Sequence, residues 1–224
     1  MKTKVSAIFF SCRRLNLLTR SVDSFMRTNT YPMEEIIIVN DSGDSSIHEQ
    51  LKKQYPDFTL VLHPENMGLV KSVDLGYAHI KTEYFFHCED DWCCIKKGNY
   101  IEQSLIIMEG NSMIEEVWLA DYNRQPIEPK IHHVGRVPYK IVANWKLGDV
   151  TWHGFTLACG LKRMSDYKKI GPYADIPWEG TIWHREHAIG EKYYELGYRT
   201  AILLNEYAVN IGKKQREYVT GYEK

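Results

Sequence analysis

The chain has 224 residues, of which 44% are hydrophobic, and its formal net charge is -1. This length and composition suit one domain with a sizeable core, or one domain with a large second lobe. The nearly balanced charge excludes a global basic field that would recruit nucleic acid. The longest apolar runs are a few residues, far short of the roughly 20 that cross a bilayer, so no transmembrane segment is expected.

The N-terminal segment and the cysteines bear on the cellular compartment of the protein. The apolar part of "MKTKVSAIFFSCRR" is interrupted by serines and followed by two arginines, which favours a first strand over a signal peptide. Five cysteines, clustered unevenly, do not form a disulfide framework, so a reducing, cytoplasmic compartment is expected, with membrane association only through partners. His87, Cys88, Cys93 and Cys94 could suggest zinc, but no second ligand pair completes a four-ligand set.

The first half of the sequence alternates strand and helix patterns. In chain order these are the strand "VSAIFF", a helix with apolar residues at helical spacing from Leu15 to Met26, the strand "EEIIIVN", the helix "SIHEQLKKQY", the strand "FTLVLH", the helix "GLVKSVDLGYAHI" and the strand "EYFFHC". The loop "DSGDSS" also caps the second helix. Such alternation predicts an α/β fold with a mostly parallel central sheet flanked by helices.

The second half is less regular. A helix "NYIEQSLIIME" and a strand "EVWLAD" are followed by a stretch from about 122 to 150, rich in Pro, Gly, His and basic residues, which predicts a functional loop or mobile lid. Next come the strand "GFTLACG", the short helix "KRMSDYKKI" and the loop "GPYADIPWEG". A helix "REHAIGEKYYELGYR", ended by Gly197 as its C-cap, and a last strand "TAILLN" complete the prediction.

Polar segments follow all four strands of the first half, namely "SCRR", "NDSG", "HPENMG" and "CEDDW". In open parallel sheets, ligands bind just beyond the carboxyl ends of the strands. Three adjacent carboxylates, Glu89 to Asp91, need a counter-ion there, because two unit charges about 4 Å apart repel by roughly 4 kcal/mol at an effective dielectric of 20. Carboxylate oxygens suit Mg²⁺ or Mn²⁺ bridging to phosphates. The alternative is an acidic loop that faces solvent, held by helix capping or lysines.

The other strand ends have functional and structural interpretations. Asp41 can accept a hydrogen bond from a base or ribose, or serve as an N-cap or turn residue. Arg13 and Arg14 could face phosphates or a base, or make surface salt bridges. Gly68 at a helix start, with Lys71 in the next turn, forms an anion site.

The order of these motifs resembles the GT-A glycosyltransferases, specifically the family 2-like inverting enzymes. The resemblance rests on "SCRR", "IIIVNDSG", "ENMGLVKSVDLG", "EYFFHCEDDW" and "REHAIGEKYYELGYR", which together span most of the chain. Members bind a nucleotide sugar and a divalent metal, and transfer the sugar to an acceptor hydroxyl with inversion. The resemblance implies one GT-A domain over residues 1–224, with a nucleotide-sugar half to about 92 and a less regular acceptor-binding half from about 93.

The resemblance also implies roles for individual residues. Asp91 and Glu89 would bind Mn²⁺ or Mg²⁺ in a DxD-type motif, which here opens with Glu. Many relatives carry an Arg-Asn pair where this chain has Val73 and Asp74. The implied donor-binding residues are Ser11, Arg13, Arg14, Asp41, Asn66, Gly68, Lys71, Glu89 and Asp90.

Inversion needs a carboxylate that takes the acceptor proton. Counting back from Gly197, the acidic pair of the relatives falls on Arg185 and Glu186, so Glu186 is the candidate base and Glu179 the second candidate. Glu186 could instead be an exposed acid on the helix that pairs with a neighbouring lysine or arginine. Further diphosphate or acceptor contacts, each with a structural alternative, are His153, Trp178, Lys213 and Lys214.

The sequence therefore favours a metal-dependent inverting glycosyltransferase. The expected partners are a nucleotide-diphosphate sugar, with UDP favoured because it is common among relatives, and a carbohydrate acceptor, with no nucleic acid. One alternative is a non-catalytic nucleotide-sugar or glycan-binding module of the same fold. Another is a sugar-phosphate nucleotidyltransferase, although "FFSCRRLN" lacks the glycines usual after the first strand of those enzymes.

Overall fold

The structure is a computed structural model that describes residues 2–120, 126–180 and 182–212. Its strands are β1 (Val5–Ser11), β2 (Glu35–Asn40), β3 (Thr59–Leu62), β4 (Tyr84–Glu89), β5 (Trp92–Cys94), β6 (Ile114–Trp118), β7 (His132–Val134), β8 (Val137–Ile141), β9 (Trp145–Leu147), β10 (Val150–Trp152), β11 (Gly160–Arg163), β12 (Arg199–Leu203) and β13 (Ala208–Asn210). Its helices are α1 (Leu15–Thr28), α2 (Ser45–Gln54), α3 (Leu69–Tyr77), α4 (Tyr100–Gly110), α5 (Met164–Ile170) and α6 (Ile182–Glu195).

Within these residues, nine strands form one sheet in the order β3-β2-β1-β4-β11-β6-β12-β8-β7. All of them point in the same direction except β11 and β8, which run antiparallel to their neighbours. The predicted α/β fold with a mostly parallel sheet is confirmed. Consequently the carboxyl ends of β1, β2, β4 and β6 meet at one edge of the sheet, together with the amino end of β11. The remaining strands form two ribbons, β9–β10 and β5–β13.

Side chains of the central strands pack into two cores, one on each face of the sheet. In β1, Val5, Ala7 and Phe9 belong to one core, whereas Ile8 and Phe10 belong to the other. This alternation follows from the two-residue period of a strand. Helices cover both faces, which is why every residue of β1 is buried and its apolar residues face both sides of the sheet. No helix in the described part of the chain has the length and apolar content to span a membrane.

Several helix ends match their sequence signals. Asp44, in the predicted capping loop, accepts hydrogen bonds from Ser46 N at 2.8 Å and Ile47 N at 3.3 Å at the start of α2. Gly68 precedes α3 with φ +80°, and Gly197 follows α6 with φ +86°, a left-handed conformation that favours glycine. The C-cap predicted at Gly197 is thus confirmed.

Three predictions for the second half are wrong. The described part of the stretch predicted as a loop, residues 126–150, contains β7 and β8, which extend the central sheet through the pairing of β8 with β12. The strand predicted over "GFTLACG" begins only at Gly160, because Thr156 N and Leu157 N donate to the side chains of Glu116 and Glu186 rather than to a neighbouring strand. The segment "TAILLN" is not the last strand, since β13 follows and pairs with β5. The first and third differences depend on long-range strand pairing that local periodicity does not encode.

Candidate functional site

The acid turn, Glu89 to Asp91, joins β4 to β5 at the carboxyl edge of the sheet. Its middle residue, Asp90, is completely buried. Ser11 Oγ donates to Asp90 Oδ2 at 2.8 Å, Arg14 Nε donates to the same oxygen at 3.2 Å, and Arg14 Nη2 donates to Oδ1. A two-pronged guanidinium–carboxylate contact of this kind fixes both groups. Asp90 therefore ties the end of β1 to the acid turn, and its predicted contact with the donor stays a prediction.

Arg14 also faces Asp91, whose Oδ2 lies 3.7 Å from Arg14 Nη1. Burial by itself would lower the pKa of Arg14, but the charges of Asp90 and Asp91 outweigh it and raise that pKa. The structure shows Arg14 in a salt bridge with Asp90 and Asp91, and its predicted contact with the donor stays a prediction. Its partners are buried acids rather than surface ones. Arg14 thus offsets part of the negative charge of the acid turn.

The C-terminal end of the described chain packs directly on Asp91. Ile211 N donates to the Asp91 carbonyl at 2.7 Å, and a Cβ added to Gly212 would lie 2.5 Å from Asp91 Oδ2. Only glycine permits this approach, so the "NIG" segment before the basic tail is fitted to the acid turn. The predicted phosphate contacts Lys213 and Lys214 lie outside the described residues.

The candidate base Glu186 reaches the same edge from α6. Burial raises the pKa of Glu89 well above its usual range, and the nearby charges of Asp91 and Glu186 raise it further. Glu186 Oε1 accepts hydrogen bonds from Leu157 N at 2.7 Å and Thr156 Oγ1 at 3.4 Å. The structure therefore brings together the acid turn and Glu186, which are about a hundred positions apart in the sequence.

A buried ion pair supports the segment that holds Glu186. Lys162 Nζ lies 2.7 Å from Glu116 Oε2 and donates to the Thr156 carbonyl, also at 2.7 Å. Glu116 Oε2 in turn accepts from Thr156 N at 3.3 Å. Both side chains are almost fully buried. The sequence reasoning missed this pair, although a Glu-Glu step in the apolar strand "IEEVW" and a lysine in "GLKR" were available signals.

Replacing Lys162 with methionine should destabilise the protein by about 3–5 kcal/mol, because it leaves the carboxylate of Glu116 buried without its cation. Burial already raises the pKa of Glu116 to about 7, against the lowering effect of Lys162. When a carboxyl group has a higher pKa in the folded state than in the unfolded state, the free energy of unfolding falls as pH rises toward the folded-state pKa. The loss in the free energy of unfolding caused by Lys162→Met should therefore grow from pH 5 to pH 9 in urea unfolding experiments.

A second change, Glu116→Leu, should restore most of the lost stability. A double variant as unstable as the single one would contradict this account.

The predicted base-reading acid, Asp41, is buried just after β2. Its Oδ1 accepts from Met67 N at 2.7 Å and lies 3.0 Å from His63 Nδ1. Asn66 Nδ2 donates to the Asp41 carbonyl at 2.8 Å. Asp41 therefore holds the loop before α3, so that the predicted donor residues Asp41, Asn66 and Gly68 do lie together. Direct contact of Asp41 with a base stays a prediction.

Other predicted donor residues differ in their surroundings. Arg13 is exposed and has φ +58°, an uncommon conformation for a side-chain-bearing residue in a loop beside the acid turn. Lys71 is exposed on α3. Asp74, which stands where many relatives have Asn, accepts from Tyr173 N at 2.9 Å and Ala174 N at 2.7 Å. It fixes the loop after α5 rather than opening toward a nucleotide.

The second candidate base, Glu179, lies elsewhere. It is exposed and lines a cavity of about 570 Å³ together with Trp178 and His153. The lining from α6 includes His184, His187 and Glu191, at the spacing of one helix face, whereas Glu186 falls on the opposite face.

Contacts within the cavity wall order two of the predicted acceptor residues. His153 Nε2 lies 2.8 Å from Glu191 Oε2, and its Nδ1 lies 2.9 Å from Asn144 Oδ1. The Arg185 guanidinium lies 4.8 Å from the centre of the Trp178 ring. The predicted contacts His153 and Trp178 thus share one cavity with Glu179, separate from the acid turn.

The acid turn offers carboxylates to a divalent ion that also binds phosphate, and this role stays a prediction. No group of three or more His, Cys, Asp or Glu among the described residues is arranged to hold a metal ion. Mg²⁺ usually binds through one or two carboxylates plus substrate phosphates, so a preformed three-ligand site is not required. Burial raises the pKa of Glu89, and the neighbouring negative charges of Asp91, Glu186 and Asp90 raise it further; a cation would relieve that repulsion. Asp91 and Glu89 are the carboxylates suited to hold it.

Comparisons with known proteins agree with the fold. Residues 6–103 match the model of the family described as glycosyl transferase family 2. No curated protein sequence is similar enough to the chain to count as a match. A crystal structure of S. aureus TarS, residues 1–349, is similar with a TM-score of 0.60 and 16% identity, over 92% of this chain and 60% of that one.

A crystal structure of GalNAc-T7 with UDP, GalNAc and Mn²⁺ is similar with a TM-score of 0.65 and 11% identity, over 92% of this chain and 43% of that one. The chain thus spans 60% and 43% of the length of these two proteins. Residues 6–103 are thus similar to glycosyl transferase family 2, and the described chain shares the fold of these two solved structures.

Proposed function

We propose that the chain transfers a sugar from a nucleotide-diphosphate sugar to a hydroxyl of a carbohydrate acceptor, with inversion and with the help of a divalent metal. The observation that carries the proposal is that Glu186 lies near the acid turn at the carboxyl edge of the sheet. Inversion in one step needs a carboxylate on the acceptor side and a positively charged site for the diphosphate on the donor side. Glu186 would supply the first part, and a divalent ion held by the acid turn would supply the second.

On the donor side, Asp91 and Glu89 would hold Mn²⁺ or Mg²⁺, and the bound ion would offset the charge of the departing diphosphate. Arg14 sets the position of the acid turn through Asp90 and Asp91. The loop held by Asp41 and Asn66 would line the nucleotide pocket. Lys213 and Lys214, which directly follow the glycine packed on Asp91, are proposed to contact the diphosphate.

On the acceptor side, Glu186 would take the proton of the attacking hydroxyl. Its Oε1 is oriented by Leu157 N and Thr156 Oγ1, which limits the positions that the carboxylate can adopt. The cavity beside α6 would bind a more remote part of the acceptor. A sugar ring can pack its C–H face on Trp178, while Glu179 and His153 border the same space.

A panel of UDP-, GDP-, dTDP- and CMP-sugars, each with and without Mn²⁺, tests the donor side by thermal unfolding. A ligand at about 100 times its dissociation constant stabilises the folded state by roughly 2.7 kcal/mol. For a chain of this size, that corresponds to a rise in melting temperature of roughly 5–10 °C. UDP-sugars are expected to give this rise only with Mn²⁺. No rise with any nucleotide would contradict the proposed donor site.

The second candidate function is a non-catalytic module that binds a nucleotide sugar or a glycan. It is favoured by one observation, that Arg185 stands where relatives have the first acid of the Glu-Asp pair and points instead at Trp178 and the Ala174 carbonyl. A wild-type chain that binds donor with Mn²⁺ but transfers no sugar to any acceptor, and hydrolyses none, would favour this module.

A further inference from the structure

Asp41, the predicted base-reading acid, is held by a histidine that the function proposed above leaves without a role, His63. Asp41 is 5% exposed and His63 is 6% exposed. Both backbones are fixed to strands of the sheet, since Asp41 N donates to the Ser11 carbonyl at 2.9 Å and His63 N donates to the Asn40 carbonyl at 3.0 Å. His63 directly follows β3, so the two residues lie at the same edge of the sheet.

The side chains of Asp41 and His63 are joined by one hydrogen bond, with 3.0 Å between His63 Nδ1 and Asp41 Oδ1. A carboxylate only accepts hydrogen bonds, so Nδ1 carries the proton and donates it. His63 Nε2 is buried and has no hydrogen-bond partner among the described residues. Within that part of the chain, the polar contact of the imidazole is therefore with Asp41.

Both hydrogen bonds to the Asp41 side chain go to the same oxygen. Met67 N donates to Oδ1 at 2.7 Å, in addition to the bond from His63 Nδ1. A carboxylate oxygen has about two lone-pair sites, so these two bonds fill Oδ1. Oδ2 takes part in neither bond and is the oxygen that remains for a ligand. The carboxylate is thus held from two points of the loop between β3 and α3.

We propose that His63 is a positioning residue for the nucleotide base of the sugar donor, and that the Asp41–His63 pair selects a base with a single N–H on its reading edge, uracil or thymine. This inference rests on the function proposed above. The N3–H of the base donates to Asp41 Oδ2, while His63 and Met67 N keep Oδ1 occupied. Guanine presents two neighbouring N–H groups, which a carboxylate binds best with both oxygens. Cytosine presents a bare acceptor at N3, which a carboxylate repels.

Removal of the His63 donor should weaken this selection through Asp41. Oδ1 would keep only Met67 N, so the carboxylate could turn and offer both oxygens to a ligand. A hydrogen bond to a charged group contributes a factor of about 10 to 100 in an equilibrium constant. We therefore expect affinity for UDP to fall by about 10- to 100-fold while affinity for GDP falls less.

The experiment measures, by calorimetry with Mn²⁺, the affinities of the full chain for UDP, dTDP, GDP, CDP and N3-methyl-UDP. A site built around one N–H donor strongly rejects a ligand that lacks it. The wild type should therefore bind UDP and dTDP at least about 100-fold more tightly than N3-methyl-UDP, and should also prefer them to GDP and CDP.

Variants of His63 separate the positioning role from a general loss of structure. His63→Leu removes the donor and should lower the ratio of the UDP and GDP affinities, whereas a general loss of structure lowers both affinities together. His63→Asn places an amide nitrogen near the Nδ1 position and should restore the ratio. His63→Gln places its amide nitrogen near the Nε2 position instead and should behave like His63→Leu. The matched control His79→Leu, at an exposed histidine after α3, should bind like the wild type.

Each part of the inference can fail by itself. A wild type that binds GDP or CDP most tightly, or binds N3-methyl-UDP as tightly as UDP, would overturn the selection of the base while the proposed donor site stands. A wild-type ratio of UDP and GDP affinities in both His63→Leu and His63→Gln would overturn the positioning role. If His63→Leu does not fold, His63→Gln and His63→Asn decide the question. A wild type that binds no nucleotide would overturn the proposed function and this inference with it.

Discussion

Asp91→Asn is expected to remove Mn²⁺-dependent donor binding without unfolding the protein. The substitution keeps the size of the side chain but removes the charge that a hard divalent ion prefers. Loss of outer-sphere partners alone typically costs 10- to 100-fold in metal affinity, so loss of a direct ligand should cost at least about 100-fold. Calorimetric titration of Mn²⁺ in the presence of nucleotide measures the effect.

Asp57→Asn is the matched control for this experiment. Asp57 is an exposed carboxylate in the turn before β3, far from the acid turn in the sheet order. The Asp57→Asn variant should bind Mn²⁺ and nucleotide like the wild type, with an unchanged melting temperature. Equal Mn²⁺ affinity in Asp91→Asn and Asp57→Asn would remove Asp91 from the metal site.

Glu186→Gln is expected to lower the rate of sugar transfer by about 100- to 10,000-fold, the range that general base catalysis contributes. A glutamine oxygen can still accept the hydrogen bond from Leu157 N, so the local fold should persist. What is lost is the ability to take a proton. Donor binding, measured with Mn²⁺ by calorimetry, should stay at the wild-type level.

Glu179→Gln separates the two candidate bases. Because Glu179 is exposed in the cavity on the other side of α6, its replacement should change the acceptor KM more than the turnover number. The opposite pattern, with Glu179→Gln inactive and Glu186→Gln active, would transfer the base role to Glu179. If neither variant slows transfer, the carboxylate base model itself fails.

The α/β class and the position of the site were predictable from sequence because both rest on local patterns. Short segments rich in apolar residues, such as "VSAIFF" and "EEIIIVN", mark buried parallel strands, and polar residues directly after them mark the edge where ligands bind. The caps at Asp44, Gly68 and Gly197 follow from backbone geometry within a few residues. The family resemblance then directed attention to Glu186.

The roles of individual side chains depended on contacts between distant segments. Arg14 turned out to hold two acids of the turn, and Asp74 to hold the backbone of Tyr173 and Ala174, because the sheet and its loops bring those groups within hydrogen-bonding distance. The strands β7, β8 and β13 form through pairing with partners far away in sequence. Short segments of this kind have no strong preference for a strand until a partner strand is present.

The sequence by itself determined that acids would gather at the carboxyl edge of a mostly parallel sheet. Only the tertiary structure decided which carboxylates share that edge, by placing Glu186 near Glu89 and Glu179 in a separate cavity. It also decided that the buried Lys162–Glu116 pair supports the segment holding Glu186. The physical reason is that strand and helix periods fix which way a side chain faces, while electrostatic contacts depend on distances that only chain packing sets.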